Sequence, residues 1–216
     1  YLKCPHAIFV DGHPDRYSDY SHRVFDVLNK FSPKVSMASI DEAYLDLTGT
    51  SRLHGNPMQG AHALHEAIKK ATNLNCSIGV SQSRLVSKVA SDQAKPNGVL
   101  WIMPGQEASF LAPLDVRKIP GVGKVTEKNL ALYGIRKVRD LAALDEDFLL
   151  DRFGKLGLAL AGKSHGFDAG GWFRGEIGKH EDARSVSHES TFNEDVDDVV
   201  LLDATLVRML LVPATM

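Results

Sequence analysis

The stretch Ser36–Gly49, SMASIDEAYLDLTG, decides how the chain is read, because it sets two adjacent carboxylates, Asp41 and Glu42, between two strand-like runs. Val35, Met37 and Ser39 alternate with Ser36, Ala38 and Ile40, and Tyr44, Leu45 and Leu47 follow on the far side, so two strands are expected to meet near Asp41 and Glu42 in a hairpin. Two-residue hairpin turns need positive φ at their centre, which suits Asn-Gly or Asp-Gly and not Glu, so turn chemistry did not select Glu42. One reading is an exposed turn whose acids keep its tip soluble. The other is a pair of acids placed for chemistry.

The elements on either side extend the pattern. CPHAIFVDG, Cys4–Gly12, reads as a strand; Tyr17–Phe31 reads as an amphipathic helix with Tyr20, Val24, Val27, Leu28 and Phe31 on one side. After the hairpin, Met58–Asn73 reads as a second helix, Asn75–Val80 as a buried strand, Ser83–Lys95 as a third helix stopped by Pro96 and Gly98, and Val99–Met103 as another strand. This order predicts an α+β fold with helices over one face of a largely antiparallel sheet. Beyond Pro104-Gly105 the texture becomes short helices from Glu107 to about His165, a second, all-helical domain. The glycine-rich Gly166–His180 reads as a linker, and a further unit starts near Ser185 with a strand-like SVSHESTF and a helix at VLLDATLVRMLL.

Composition sets the outer limits. The 216 residues carry 44% hydrophobic and 24% charged side chains, ordinary globular values, and no apolar run approaches the length of a membrane span. The N-terminus lacks the features of a signal peptide, so a cytoplasmic protein with no membrane partner is expected. Cys4 and Cys76 are far apart in apolar settings and are expected to be free core thiols. Of nine histidines, none completes a ligand set at zinc spacing. No G-x-S-x-G, Walker A or dinucleotide glycine pattern occurs, which removes the commonest hydrolase and nucleotide-fold readings.

Net charge is only −2, but its distribution is uneven. Arg117, Lys118, Lys124, Lys128, Arg136, Lys137 and Arg139 face a single acid, Glu127, within Arg117–Arg139, a local balance of +6. Between Glu181 and Asp203 eight acids face Arg184 alone, a balance of −7. The basic stretch contains KIPGVGKVTEKNLALYGI, Lys118–Ile135, which has the form of a helix-hairpin-helix. Pro120, Gly121 and Gly123 form a turn whose exposed amides, with the following helix dipole and the neighbouring Lys124 and Lys128, suit a phosphate oxygen and so sequence-independent nucleic-acid binding. The plain alternative is a helical hairpin with a glycine-rich turn. RFGKLGLALAGKSHG, Arg152–Gly166, reads either as a second phosphate-facing helix start or as a core helix.

Lys88 and Lys95 lie seven residues apart on the third helix, within about 20° of one face. They are either solvated surface lysines or a clamp on a triphosphate. A carboxylate pair, triphosphate-directed lysines and a phosphate-binding hairpin together suit nucleotidyl transfer, in which carboxylate-held divalent metals activate a hydroxyl and neutralise the leaving pyrophosphate.

SMASIDEAYLDLTG, then CSIGVSQSRLVSKVASDQAKPNGV, then IPGVGKVTEKNLALYGI, in this order, closely resemble the Y-family, or translesion, DNA polymerases, most of all their bacterial members, over about Tyr1–Phe192. The resemblance implies a DNA-directed DNA polymerase of damage bypass and repair. It implies a partial palm at 1–102, an antiparallel sheet with helices on one face; a helical thumb with a helix-hairpin-helix at 103–178; and at 179–216 a linker and the start of a little-finger domain. By the same resemblance Asp41 is a metal ligand and Glu42 the adjacent metal-binding catalytic carboxylate, Ser39 supports them, and Lys95 contacts the incoming triphosphate with Lys88 beside it. Gly121, Gly123 and Val125 offer amides to DNA, helped by Lys124 and Lys128. The implied cofactor is Mg²⁺ in a two-metal site; the implied partners are primer-template DNA, deoxynucleoside triphosphates and a sliding clamp. Tyr1–Ser18 matches neither the family's first metal-binding strand nor its fingers, so the expectation is a fragment that begins after the fingers, stops early in the little finger and is inactive alone. A non-catalytic DNA-binding or interaction module is the alternative.

Overall fold

The computed structural model describes residues 2–173, 175–179, 187, 189–192 and 194–211. They fall into two compact units, Tyr1–Lys179 and His180–Met216.

In the first unit, α1 (Pro14–Phe31) starts with Pro at its first turn, where the missing N–H costs nothing, and buries Val27 and Leu28. It packs on α3 (Pro57–Thr72), which a capping box between Asn56 and Gln59 begins and which buries Leu64 and Ile68; the short α2 (Ser51–His54) precedes it. Between α1 and α2 lies the expected hairpin, β1 (Val35–Met37) against β2 (Ala43–Leu45), with Ser36 opposite Tyr44. Its connection is five residues long, Ala38–Glu42, and neither acid adopts positive φ. Glu therefore sits there without backbone strain.

The second pair of strands departs from expectation. β3 (Ile78–Val80) and β4 (Val99–Trp101) run parallel, joined by α4 (Arg84–Gln93) in a β-α-β unit, so the described residues form two two-stranded sheets, one antiparallel and one parallel. The connection is helical, and a helix crossover returns the chain in the same direction. Gly79 is required by the fit of β3 on α4, since a Cβ there would lie 2.0 Å from the Ser87 carbonyl oxygen. The strand expected at Cys4–Gly12 is absent. Neither sheet pairs with it, and Ile8 and Val10 stay 89% and 84% exposed, so little apolar burial repays ordering that backbone as a strand. Cys4 is accordingly exposed and not a core thiol; Cys76 is half-buried, which pushes its thiol pKa up.

From Glu107 the chain is helical: α5 (Glu107–Leu111), a 3₁₀ turn at Val116–Lys118, α6 (Lys124–Ala131), α7 (Val138–Ala142) and α8 (Glu146–Ser164), broken at Gly154 where φ is 60°. Leu111, Val116, Ile119, Leu130, Val138, Leu141, Leu149 and Leu160 fill one core, and this core is continuous with Leu85, Val86 and Val89 of α4. The helical region and the β-α-β unit therefore share one interior.

The stretch Gly166–Lys179 is packed where a free linker was expected. Asp168 accepts hydrogen bonds from the amides of Arg84 and Leu85 at 3.1 and 2.8 Å and from the Ser83 hydroxyl at 2.8 Å, capping α4. Phe173 is buried, its ring edge-on to Tyr44, and the Gly178 amide donates to the Ser36 hydroxyl at 2.9 Å. In the second unit α9 (Val199–Leu211) forms where a helix was expected. Part of the expected strand at Ser185–Phe192, namely Ser185, Val186 and His188, lies outside the described residues, as do Arg174 and His180 of the expected linker; Ser187 and Glu189–Phe192 form no strand.

Candidate active site and nucleic-acid interface

Ser39 organises the hairpin tip. Its hydroxyl donates to Asp41 Oδ1 at 2.6 Å and accepts from the amides of Asp41 and Glu42 at 3.3 and 3.1 Å, while the Glu42 carbonyl accepts from the amides of Ala38 and Ser39. A short polar side chain that bonds its own backbone a few residues on is what such a turn needs. The tip is thereby fixed with both carboxylates exposed on one side.

Lys88, on α4, pairs with Glu42 Oε1 and lies 3.8 Å from Asp92 Oδ2. Lys95 pairs with Asp92 at 2.6 Å, and that hydrogen bond, with the Asp92 charge, raises the Lys95 pKa, so its ammonium stays charged. Both lysines pair with Asp92, but Lys95 lies in the turn past the end of α4 and not on the helix expected to carry it, so helical spacing does not account for their meeting. Asp41, Glu42, Tyr44, Lys88 and Lys95 open on one cavity of about 1080 Å³ whose other walls come from α1, α3 and β3. Burial, then the neighbouring Glu42 charge, raises the Tyr44 phenol pKa. Among the described residues no group of three or more His, Cys, Asp and Glu side chains is placed to hold a metal ion. Asp41 and Glu42 supply hard oxygen donors of the kind Mg²⁺ takes, with room for the waters it retains, and so fit part of a metal site.

About the glycine turn several backbone amides are left without a partner among the described residues. Gly121 has φ of 95°, and Gly123 caps α6 in an extended conformation that any residue adopts. Among the described residues the amides of Gly121, Gly123, Lys124 and Val125 have no acceptor, and all four residues are exposed. The positive charge is smaller than the sequence count suggests. Arg117 pairs with Glu127 at 3.4 Å, Lys137 with Asp115 at 2.7 Å and Arg139 with Asp140 at 3.8 Å, so two acids flanking the stretch join Glu127 in neutralising it. Lys118, Lys124, Lys128 and Arg136 have no acidic partner among the described residues.

Sequence reasoning missed Asp168, Arg84, Asp92 and Lys163. Arg84 donates to the Gly175 carbonyl at 3.1 Å and lies over the Phe173 ring, and Lys163 is buried beneath the glycine turn. Asp92 alone had a local signal, its i,i+4 and i,i+3 spacing to Lys88 and Lys95. Arg152–Gly166 contributes Leu160 and Ala161 to the core, while Gly154, Lys155 and Leu156 at its helix break stay exposed. No helix among the described residues is long and apolar enough to cross a membrane.

Comparison with known proteins follows the same division. The impB/mucB/samB family profile matches residues 1–92 and the profile of the IMS family HHH motif matches 104–135. DNA polymerase IV of Dehalococcoides mccartyi strain CBDB1 is 38% identical over 203 residues, 94% of this chain and 51% of that protein. A DinB family error-prone DNA polymerase from Sulfolobus solfataricus superposes with a TM-score of 0.70 at 30% identity, over 79% of this chain and 52% of that one. An insertion ternary complex of Dbh DNA polymerase gives 0.66 at 33% identity, over 76% and 49%. The chain spans about half the length of the curated relatives it matches.

Proposed function

This chain belongs to the impB/mucB/samB family of DinB-type, Y-family polymerases, and from that premise we propose that it is the palm and thumb portion of a DNA-directed DNA polymerase of the translesion class. One observation carries the reading: Ser39 fixes Asp41 and Glu42 at the hairpin tip, and they open on the same cavity as Lys88 and Lys95. Residues 1–102 act as the palm and 103–178 as the thumb, with the little finger beginning in 179–216.

In this reading Asp41 and Glu42 hold Mg²⁺, which when bound supplies charge neutralisation at the α-phosphate and the leaving pyrophosphate. The chain's own groups do the rest. Ser39 keeps Asp41 oriented; Lys95, charged by its pairing with Asp92, meets the triphosphate of the incoming deoxynucleotide, and Lys88, paired with Glu42, would stand beside it as a second cation. The amides of Gly121, Gly123 and Val125 take a backbone phosphate of the primer-template duplex, with Lys124 and Lys128 on its neighbours. A sliding clamp and cytoplasmic residence belong to the same reading of the whole protein.

Two carboxylates are fewer than two metal ions need, so this chain by itself acts as a DNA-binding module. With Mg²⁺ and all four deoxynucleoside triphosphates it is expected to bind a labelled primer-template without extending it, whereas a chain of the relatives' length that contains it extends the primer. Failure of the longer chain to extend any primer would overturn the reading.

A further inference from the structure

Lys163 is 3% exposed, an unusual place for a lysine, and burial pushes its pKa below the usual lysine range. Its partner is a carbonyl. Nζ donates to the Pro120 oxygen at 2.8 Å, across 43 residues of sequence, and among the described residues no carboxylate pairs with it. The stem is fixed by α8, whose Leu160 and Ala161 lie in the core. A charged group kept inside against its desolvation cost needs a reason, and the bond it makes supplies one.

Pro120 and Gly121 share one trans peptide unit, in which C=O and N–H point to opposite sides. With its oxygen drawn inward to Lys163, that unit turns the Gly121 N–H outward, where it has no acceptor among the described residues. We propose that Lys163 is a positioning residue for the phosphate site, holding the Pro120 carbonyl from beneath so that the Gly121 amide faces the ligand. The inference rests on the reading that this turn holds a DNA phosphate. Lys163 itself reaches no ligand. It therefore displaces no counterion from DNA, unlike Lys124 and Lys128 on the outer surface.

The test uses the full chain and a labelled primer-template duplex, with anisotropy measured at several salt concentrations for wild type, Lys163→Met, Lys163→Arg and Lys124→Ala, and a thermal melt of each. Lys163→Met is expected to weaken binding about tenfold with the salt slope unchanged, since one charge-assisted hydrogen bond is lost and no phosphate contact. Lys163→Arg, which restores a donor, is expected to bind within about twofold of wild type, and Lys124→Ala to lower the slope by about one. In ¹⁵N–¹H spectra of the free proteins the Gly121 amide should shift in Lys163→Met and return in Lys163→Arg. If Lys163→Met does not fold, Lys163→Gln, whose shorter head falls short of Pro120, takes its place with the same expectation. Unchanged binding in Lys163→Met beside a changed slope in Lys124→Ala would overturn the role of Lys163 while leaving the turn as a DNA site. Unchanged binding in both would overturn the DNA reading of the turn, and this inference with it.

Discussion

Single side chains settle the geometry of the hairpin at both ends. Ser39 fixes the tip, and Asp46 fixes the exit, accepting from the Thr48 amide at 2.9 Å and pairing with Lys34 at 3.1 Å. Hydrogen bonds from Thr48, side chain and backbone, hold the Asp46 carboxyl below its ordinary value, with a smaller contribution from Lys34. A depressed carboxylate stabilises the fold above its unfolded pKa, and this is lost as pH falls through the folded one. Asp46→Asn is therefore expected to cost about 0.5–1 kcal/mol at pH 7, and the gap to wild type should narrow as pH falls below the ordinary carboxylate range, as urea melts at neutral and at acid pH would show. A gap that persists in acid would assign the effect to shape and not charge. Residues of this kind were legible where their partners are near in sequence. Asp41 and Glu42 stood out as adjacent acids between two strands, although the five-residue connection removes the two-residue-turn argument, and Lys88 was legible from its helix while Lys95 lies beyond the end of α4. Lys163 and Asp168 were invisible, because what they bond lies 43 and more than 80 residues away and no local rule reaches that far.

Elements carry the next set of consequences. α4 bears Lys88, begins under Asp168 and packs its Leu85, Val86 and Val89 into the core shared with the helical region. Removing its cap with Asp168→Ala should destabilise the chain by about 1–2 kcal/mol, measured by thermal or urea melts, because two amides and the Ser83 hydroxyl lose an ionised acceptor together. A change under a few tenths would show that water replaces the carboxylate freely. The glycine turn makes a sharper prediction. A Cβ at Gly123 meets nothing within 4 Å and its φ needs no glycine, so Gly123→Val should leave the melting temperature within a few degrees. It should nevertheless weaken duplex binding, since the side chain occupies the approach of phosphate to the free amides. Equal affinity would show that the backbone there is not the contact. The helices were legible to within a few residues from their periodicity and stops. The parallel pairing of β3 and β4 was missed although the strand-helix-strand order carried it, because the strands were read one at a time and not through the helical connection that sets their direction.

At the scale of the whole chain, the unit Tyr1–Lys179 brings the carboxylate hairpin, the lysine-bearing helix and the glycine turn into one folded body, which the order of the three motifs alone did not require. The Gly166–Lys179 stretch shows why: read as a linker from its glycines, it is held by Asp168, Phe173 and Gly178 against α4 and β1. Composition described its backbone freedom and missed its anchors. The role proposed for Asp41 and Glu42 is metal-dependent nucleotidyl transfer and not merely the solubility of a turn. Its most direct test is primer extension by a chain of the relatives' length, comparing wild type with Asp41→Asn and Glu42→Gln, with primer-template affinity measured alongside. The prediction is a loss of extension of about a thousandfold or more in each variant with affinity within about twofold, because the carboxylates act on the metal and not on the duplex. Extension at the wild-type rate in either variant would contradict it.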